Sequence, residues 1–153
     1  MGNKIMIGCD NAGFYFKEQV KQIIEEQGYE VCDVGVNSED DKAFYPYIAK
    51  KVAEKIQGDL KNSRGILICG TGIGMAITAN KFKNIRAAVG HDIYSVDRSS
   101  LSNDCNVLCF GARVIGIEVA KQHIKEWLKL DGVVKASQDK VDAICEIEGM
   151  NFK

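Results

Sequence analysis

Short apolar runs bounded by glycine alternate along this chain with stretches in which apolar residues recur every three or four positions. Lys4-Ile5-Met6-Ile7-Gly8-Cys9 is apolar almost throughout, the pattern of a strand buried on both faces. Phe16, Val20, Ile23 and Ile24 follow at helical spacing among Lys, Glu and Gln, and Gly28 supplies a stop. Tyr29 to Val34 reads as a second strand, ending at Gly35. Beyond the polar loop Asn37 to Lys42, Tyr45-Pro46 opens a helix with Pro46 in its first turn, and Ile48, Val52 and Ile56 give it a face before Gly58. Arg64 to Cys69 is a third strand, and the helix after it runs through Ile77 to Phe82. Arg86 to Val89 predicts a fourth strand, Asp92 to Ser100 a short helix, and Asn106 to Phe110 a fifth strand. A long amphipathic helix carrying Val119, Ile124, Trp127 and Leu128 comes next. The tail from Ser137 to Glu148 predicts a last helix, with Val141, Ile144 and Cys145 on one side.

Five strand–helix units without a hairpin signal predict an α/β fold, a parallel sheet covered on both faces. At 153 residues the chain is one domain, 1–153, with a helical tail from about 131. An apolar fraction of 46% and a charged fraction of 27% are those of an ordinary globular protein. Net charge is −1, with no block of either sign, which argues against a nucleic-acid binder or a polybasic membrane protein. No apolar run approaches the ~18 residues of a membrane span, and no signal-peptide core precedes the first strand, so the expected location is cytoplasmic. The six cysteines form no Cys-x-x-Cys pair and there are only two histidines, so a structural metal is not expected; in a cytoplasmic protein the thiols are expected to be reduced, and no cofactor is expected.

In parallel α/β sheets, ligands bind at the carboxyl ends of the strands. Those ends hold the unusual residues: Cys9-Asp10-Asn11, Cys69-Gly70-Thr71-Gly72, Gly90-His91-Asp92 and Gly111-Ala112-Arg113. Gly70, Gly72 and Gly74, between a strand and a helix, let backbone N–H groups face an anion or a developing oxyanion, and the helix start adds a positive dipole end. Such a setting favours the thiolate of a neighbouring cysteine. The plainer reading is a tight turn with a buried Cys69. The glycine spacing does not match G-x-G-x-x-G, Met75-Ala76 stands where a P-loop needs Lys-Ser/Thr, and Met75 stands where a cysteine phosphatase needs Arg. What survives is a thiol base or nucleophile beside an anion-stabilising loop. Asp10 is either a helix cap or an anchor for substrate hydroxyls. Asn103-Asp104 reads as a turn, Arg113 as a surface ion-pair partner, His91 as a satisfied loop histidine, and His123, among Lys and Glu, as facing solvent.

Together, Gly8-Cys9-Asp10-Asn11-Ala12-Gly13, Cys69-Gly70-Thr71-Gly72-Ile73-Gly74 with Ala79-Asn80-Lys81, and Asn103-Asp104-Cys105-Asn106-Val107-Leu108 with Gly111-Ala112-Arg113-Val114-Ile115-Gly116 closely resemble ribose-5-phosphate isomerase type B. That family includes galactose-6-phosphate isomerase subunits and allose-6-phosphate isomerases. The resemblance covers nearly the whole chain and is weakest after Leu130. It implies a three-layer α/β/α, Rossmann-like fold with strand order 2-1-3-5-4. It implies a homodimer, often paired into a tetramer, with sites at the dimer interface, and metal-free aldose–ketose isomerisation of a phosphorylated sugar. Cys69 matches the catalytic base. Gly70, Gly72, Ile73 and Gly74 belong to the loop that stabilises the enediolate, and Thr71 helps to open or hold the sugar. Asp10, Tyr45 and Asn103 match contacts to the substrate, and Arg113 matches a phosphate contact.

The departures concern recognition. Asn11 stands where the family usually has His after the strand-one Asp. Ser102 stands where it has the His credited with ring opening, a role His91 is a candidate to take over. Phe44 replaces an acid before Tyr-Pro. Of two tail arginines that bind phosphate, one position aligns with Lys140 and the other with Ala136 or, shifted by one, Lys135; Lys is a point charge where Arg is a fork. The expected reaction is ribose 5-phosphate to ribulose 5-phosphate through a cis-enediol, and the altered shell leaves room for another substrate. The alternatives are a hexose-6-phosphate isomerase or its subunit, and a non-catalytic sugar-phosphate-binding member.

Overall fold

The computed structural model describes residues 3–152. Five parallel strands form one sheet in the order β2-β1-β3-β5-β4: β1 (Lys4–Cys9), β2 (Glu30–Asp33), β3 (Ser63–Cys69), β4 (Ala87–Val89) and β5 (Val107–Gly111). The helices are α1 (Phe14–Glu26), α2 (Tyr45–Gln57), α3 (Ile73–Ala79), α4 (Ile93–Leu101), α5 (Ile117–Lys129) and α6 (Gln138–Asn151). Right-handed crossovers place α1, α4 and α5, which pack together, on one face, and α2 with α3 on the other. The strand order expected from the resemblance is the one observed.

The central strands are apolar because both their faces are covered. Ile5, Ile7, Ile66, Leu67, Ile68, Leu108 and Phe110 are fully buried, each worth roughly 1.5–3 kcal/mol of burial. The register sets Cys9 beside Ile68 and Cys69 beside Gly111. Three strands therefore end together, at one rim of the sheet.

Two local features depart from the sequence expectation. The helix expected to reach Phe82 stops at Ala79, because the Asn80 side chain bonds the backbone of Ala87 both ways, at 2.8 and 2.9 Å, and steers the chain into β4. His123 does not face solvent. It is 4% exposed and sits on the buried stripe of α5 with Ala120, Ile124 and Trp127, its Nδ1 2.9 Å from the Gly90 carbonyl. Arg64 is buried as well, stacked 4.4 Å from the Trp127 ring, and it donates to the carbonyls of Trp127 and Leu128 that end α5.

Lys17 is a buried cation on α1. Its Nζ donates to the Val36 carbonyl at 2.7 Å and pairs with Asp33 at 2.8 Å, tying the loop after β2 to the core. Burial alone would raise the Asp33 carboxyl. The Lys17 ammonium, the Gly35 N–H and Lys21 outweigh it and hold the carboxyl below its ordinary value of 3.8. A depressed carboxylate contributes stability above its unfolded pKa and loses it as pH falls through the folded one. Lys17→Met should therefore cost about 2–3 kcal/mol at neutral pH, less than a fully broken pair because Lys21 remains. Urea midpoints of the variant and the native chain should draw together below about pH 4 as Asp33 protonates.

Candidate active site

The site is built at the rim where β1, β3 and β5 end. Asp10 leaves β1 with its N–H on the Ile68 carbonyl at 3.3 Å, and its Oδ1 accepts the N–H groups of Ala12 (3.0 Å) and Gly13 (3.3 Å). It therefore caps the short 3-10 turn that begins at Asn11. Burial raises its carboxyl above the ordinary value, while backbone donors and Arg113 act against that. The capping and hydroxyl-holding readings of Asp10 do not compete, since only Oδ1 carries the caps.

Cys69 ends β3, 5% exposed, and the Gly72 N–H donates to its sulfur at 3.1 Å. Gly72 has φ 78°, and a Cβ there would fall 2.9 Å from the Phe110 carbonyl carbon. Only glycine turns the chain this closely over β5. Thr71 Oγ1 accepts the Ile73 N–H at 3.3 Å as α3 begins. A Cβ on Gly74 would fall 2.5 Å from the Tyr45 ring, so Tyr45 lies directly over the first turn of α3. On the other side the Arg113 guanidinium rests against Gly70, and its backbone N–H reaches the Gly70 carbonyl at 3.1 Å.

An open cleft of 520 Å³ lies between Asp10–Asn11 and the segment from Lys42 to Pro46, with Tyr45 as its wall toward the glycine loop. Sequence reasoning missed Lys42 as part of this cleft. Phe44, which it had noted only as a missing acid, is a wall of it, 71% exposed. The cysteines on and beside the central strands are not alike. Burial pushes the thiols of Cys9 and Cys105 up to about 12 and that of Cys109 well above its ordinary value. Cys69 is the one whose sulfur meets the glycine loop.

The structure thus brings together Asp10, Asn11, Tyr45, Cys69, the loop from Gly70 to Gly74, and Arg113. It places Ser102, Asn103 and Lys140 elsewhere. Ser102 and Asn103 follow α4 and precede β5, so they lie at the amino end of the sheet, about 16 Å of strand away from the rim. Asn103 donates to the Arg98 carbonyl at 2.9 Å and shares a cavity of 470 Å³ with Ile144 of α6. Lys140 is exposed on α6. That helix buries little of its own apolar surface: Ile144, Ile147 and Met150 are exposed. His91 lies two residues beyond β4, and its Nε2 accepts the Gly111 N–H at 2.8 Å. Burial, then the neighbouring His123, lower its pKa below the ordinary value.

A further cavity, of 410 Å³, opens at the amino ends of the strands, but its two arginines are engaged: Arg64 with the end of α5, and Arg86 with Asp104 at 2.6 Å. Among the described residues no three His, Cys, Asp or Glu side chains are grouped to hold a metal ion, and no helix is long and apolar enough to cross a membrane.

A family model described as Ribose/Galactose Isomerase matches residues 5–144. The chain is 50% identical to D-erythrulose-4-phosphate isomerase 2 of Mycolicibacterium smegmatis, over 97% of this chain and 99% of the relative. It is 46% identical to ribose-5-P isomerase B of Listeria innocua, over 97% and 99%. The solved structure of ribose-5-phosphate isomerase B from Clostridium thermocellum superposes with a TM-score of 0.90 at 38% identity, covering 97% of this chain and 99% of that one.

Proposed function

The chain belongs to the ribose/galactose isomerase family, and from that premise we propose that it interconverts an aldose phosphate and its 2-ketose by moving one proton between C1 and C2, with Cys69 as the base. The observation that carries this reading is the Cys69–Gly72 pair: a nearly buried sulfur at a strand end, placed by an N–H of the loop that starts α3. A base there takes the C–H proton while charge grows on an oxygen facing the loop donors, each such donor being worth ~10²–10³ in rate elsewhere. Relatives named for ribose 5-phosphate and for D-erythrulose 4-phosphate support the class. The test is turnover of sugar phosphates in D₂O. Deuterium appearing at the carbon that gains the proton, without any added cofactor, supports proton transfer; complete retention of the substrate hydrogen in the product argues for a hydride shift.

The phosphate lies toward Arg113 in this reading. Arg113 offers a two-pronged donor set, whereas Lys140 offers one mobile charge. Arg113→Ala should raise KM for sugar phosphates by at least about tenfold, and Lys140→Arg should lower KM with kcat little changed, the pattern of uniform binding. Steady-state kinetics at two salt concentrations checks both, and unchanged KM in both variants means that the phosphate lies elsewhere.

Lys140 and Asn103 reach this site only from a second copy, because within one chain they lie at the other end of the sheet. The exposed Ile144, Ile147 and Met150 of α6 support such a contact. The native chain is expected to sediment as a dimer or larger. Cys69→Ser and Asn103→Ala, each nearly inactive alone, should regain activity when mixed and refolded together, since a mixed dimer holds one intact site. No regain, with mixed dimers formed, means that each chain completes its own site.

A further inference from the structure

The glycine loop rests, residue by residue, on the carboxyl end of β5. Gly72 crosses over Phe110, and Gly111 lies so close under Thr71 that a Cβ there would fall 2.6 Å from the Thr71 Cα. Gly111 pairs with Cys69 in the sheet, the Ala112 N–H donates to the Cys69 carbonyl at 2.9 Å, and the Arg113 N–H donates to the Gly70 carbonyl at 3.1 Å. Cys69, its loop and Arg113 therefore share one platform. A strand holds only one flank of it. On the other flank β4 ends at Val89, and the Gly90 N–H on the Cys109 carbonyl, at 3.0 Å, carries the ladder one residue further. The Gly111 N–H has no strand left to meet there. The His91 ring takes it instead, with Nε2 as acceptor at 2.8 Å. The imidazole stands in for the missing strand, and it does so only while Nε2 is unprotonated, because a charged ring has a donor on each nitrogen and no acceptor.

We propose that His91 is a positioning residue for the isomerisation: its neutral ring pins the end of β5 under the glycine loop, and its protonation frees that end and slows proton transfer at Cys69. The proposal rests on the isomerase reading above and adds the residue that aligns its site. The ring-opening role considered for His91 from the sequence needs the same Nε2 lone pair, which the Gly111 N–H occupies. Burial is the largest influence on the ring and disfavours its charged form. His123, on α5 and 2.9 Å from the Gly90 carbonyl, acts in the same sense, while Asp92, the cap of α4, acts against both; β5 presents the Gly111 N–H. The balance holds His91 below its ordinary value of 6.5, so the accepting form is the one present at neutral pH. As pH falls below that value, the ring gains a proton and sets an N–H against the Gly111 N–H. Relief of that clash moves Gly111, and with it Thr71 and the two bonds that hold Cys69 and Gly70 to β5.

The test follows kcat against pH, at saturating sugar phosphate, for the native chain, His91→Leu and His91→Gln, with melting temperatures at each pH so that rates are counted per folded molecule. Leucine removes the acceptor. Glutamine puts an amide oxygen near the place of Nε2 and stays neutral at every pH. At neutral pH His91→Leu should lose kcat by about tenfold or more, within the ~10²-fold that a 1 Å misplacement costs, and His91→Gln should recover most of that loss. The native profile should carry an acid limb, with its midpoint below 6.5, that His91→Gln lacks. Substrate phosphate also titrates at about pH 6, but equally for all three proteins, so the limb that separates native from Gln belongs to His91. Superimposable native and Gln profiles overturn the proposal and leave the isomerase reading standing, as does a folded Leu variant with native kcat or a Gln variant no better than Leu. Where His91→Leu does not fold, the native and Gln profiles alone decide. No turnover of any sugar phosphate by the folded native chain overturns the isomerase reading and this proposal with it.

Discussion

Cys69→Ser should lose isomerisation by at least about 10²-fold in kcat while KM and thermal stability stay close to those of the native chain. Serine has nearly the same shape, and its oxygen can still accept the Gly72 N–H that reaches the sulfur at 3.1 Å. The loop should therefore keep its course, and substrate should still bind. What is lost is the thiol, a far stronger acid than the hydroxyl that replaces it, and with it the thiolate that serves as base. A hydroxyl in that place has no companion base, since the nearest imidazole, His91, is bonded to the Gly111 N–H. The measurement is kcat and KM for the preferred substrate, with exchange of the C2 hydrogen in D₂O as a second readout. Retention of about a third of native turnover would show that another group removes the proton.

Gly72→Ala should produce a large loss of stability for the addition of one methyl group. The backbone there sits at φ 78°, a left-handed conformation costing an L-residue about 1–2 kcal/mol. The new Cβ would also meet the Phe110 backbone at 2.9 Å, and crowding of that kind costs a further ~1–3 kcal/mol. A loss near 3 kcal/mol corresponds to a fall in Tm of about 6–12 °C for a chain of this size. Activity should fall beyond what the lower stability explains, because relief of the contact moves the N–H away from Cys69. Gly70→Ala is the control. Its Cβ would meet only the mobile end of Arg113, 3.4 Å away, so its stability change should stay within about 0.5 kcal/mol. Thermal unfolding of the two variants side by side decides the matter; equal losses would mean that the turn is not held as described.

The strands could be read from the sequence because burial on both faces leaves nothing polar in them. Ile66, Leu67 and Ile68 are all fully buried, so the run is continuous. The glycine loop was legible for a related reason: three glycines in five residues where a strand gives way to a helix have a clear use in close approach, Gly72 over β5 and Gly74 under Tyr45. Lys17 and His123 were not legible, because residue type was weighed above register. His123 lies on the same stripe as Ala120 and Trp127, and Lys17 follows Phe16 and precedes Val20 on the buried side of α1. Each is buried because a specific acceptor, Val36 or Gly90, waits for it, and that acceptor is distant in sequence. The cleft wall at Lys42 and Phe44 was hidden for the same cause, since the course of that loop depends on the Lys17–Val36 tie. The separation of Ser102 and Asn103 from Cys69 followed from topology alone: residues just before a parallel strand lie at the opposite end from residues just after one.

Trp127 is the chain's single tryptophan, fully buried, with the Arg64 guanidinium 4.4 Å from its ring. It stands where α5 ends, at the amino side of the sheet, a strand's length from Cys69. The chain thereby carries one optical probe that reads its frame and is blind to the rim that holds Cys69. Emission from a dry indole beside a cation reports whether the sheet and α5 are still joined. Sugar phosphate arriving at the far rim leaves that colour unchanged, so the fluorescence of any site variant separates a damaged scaffold from a silenced reaction in one cuvette.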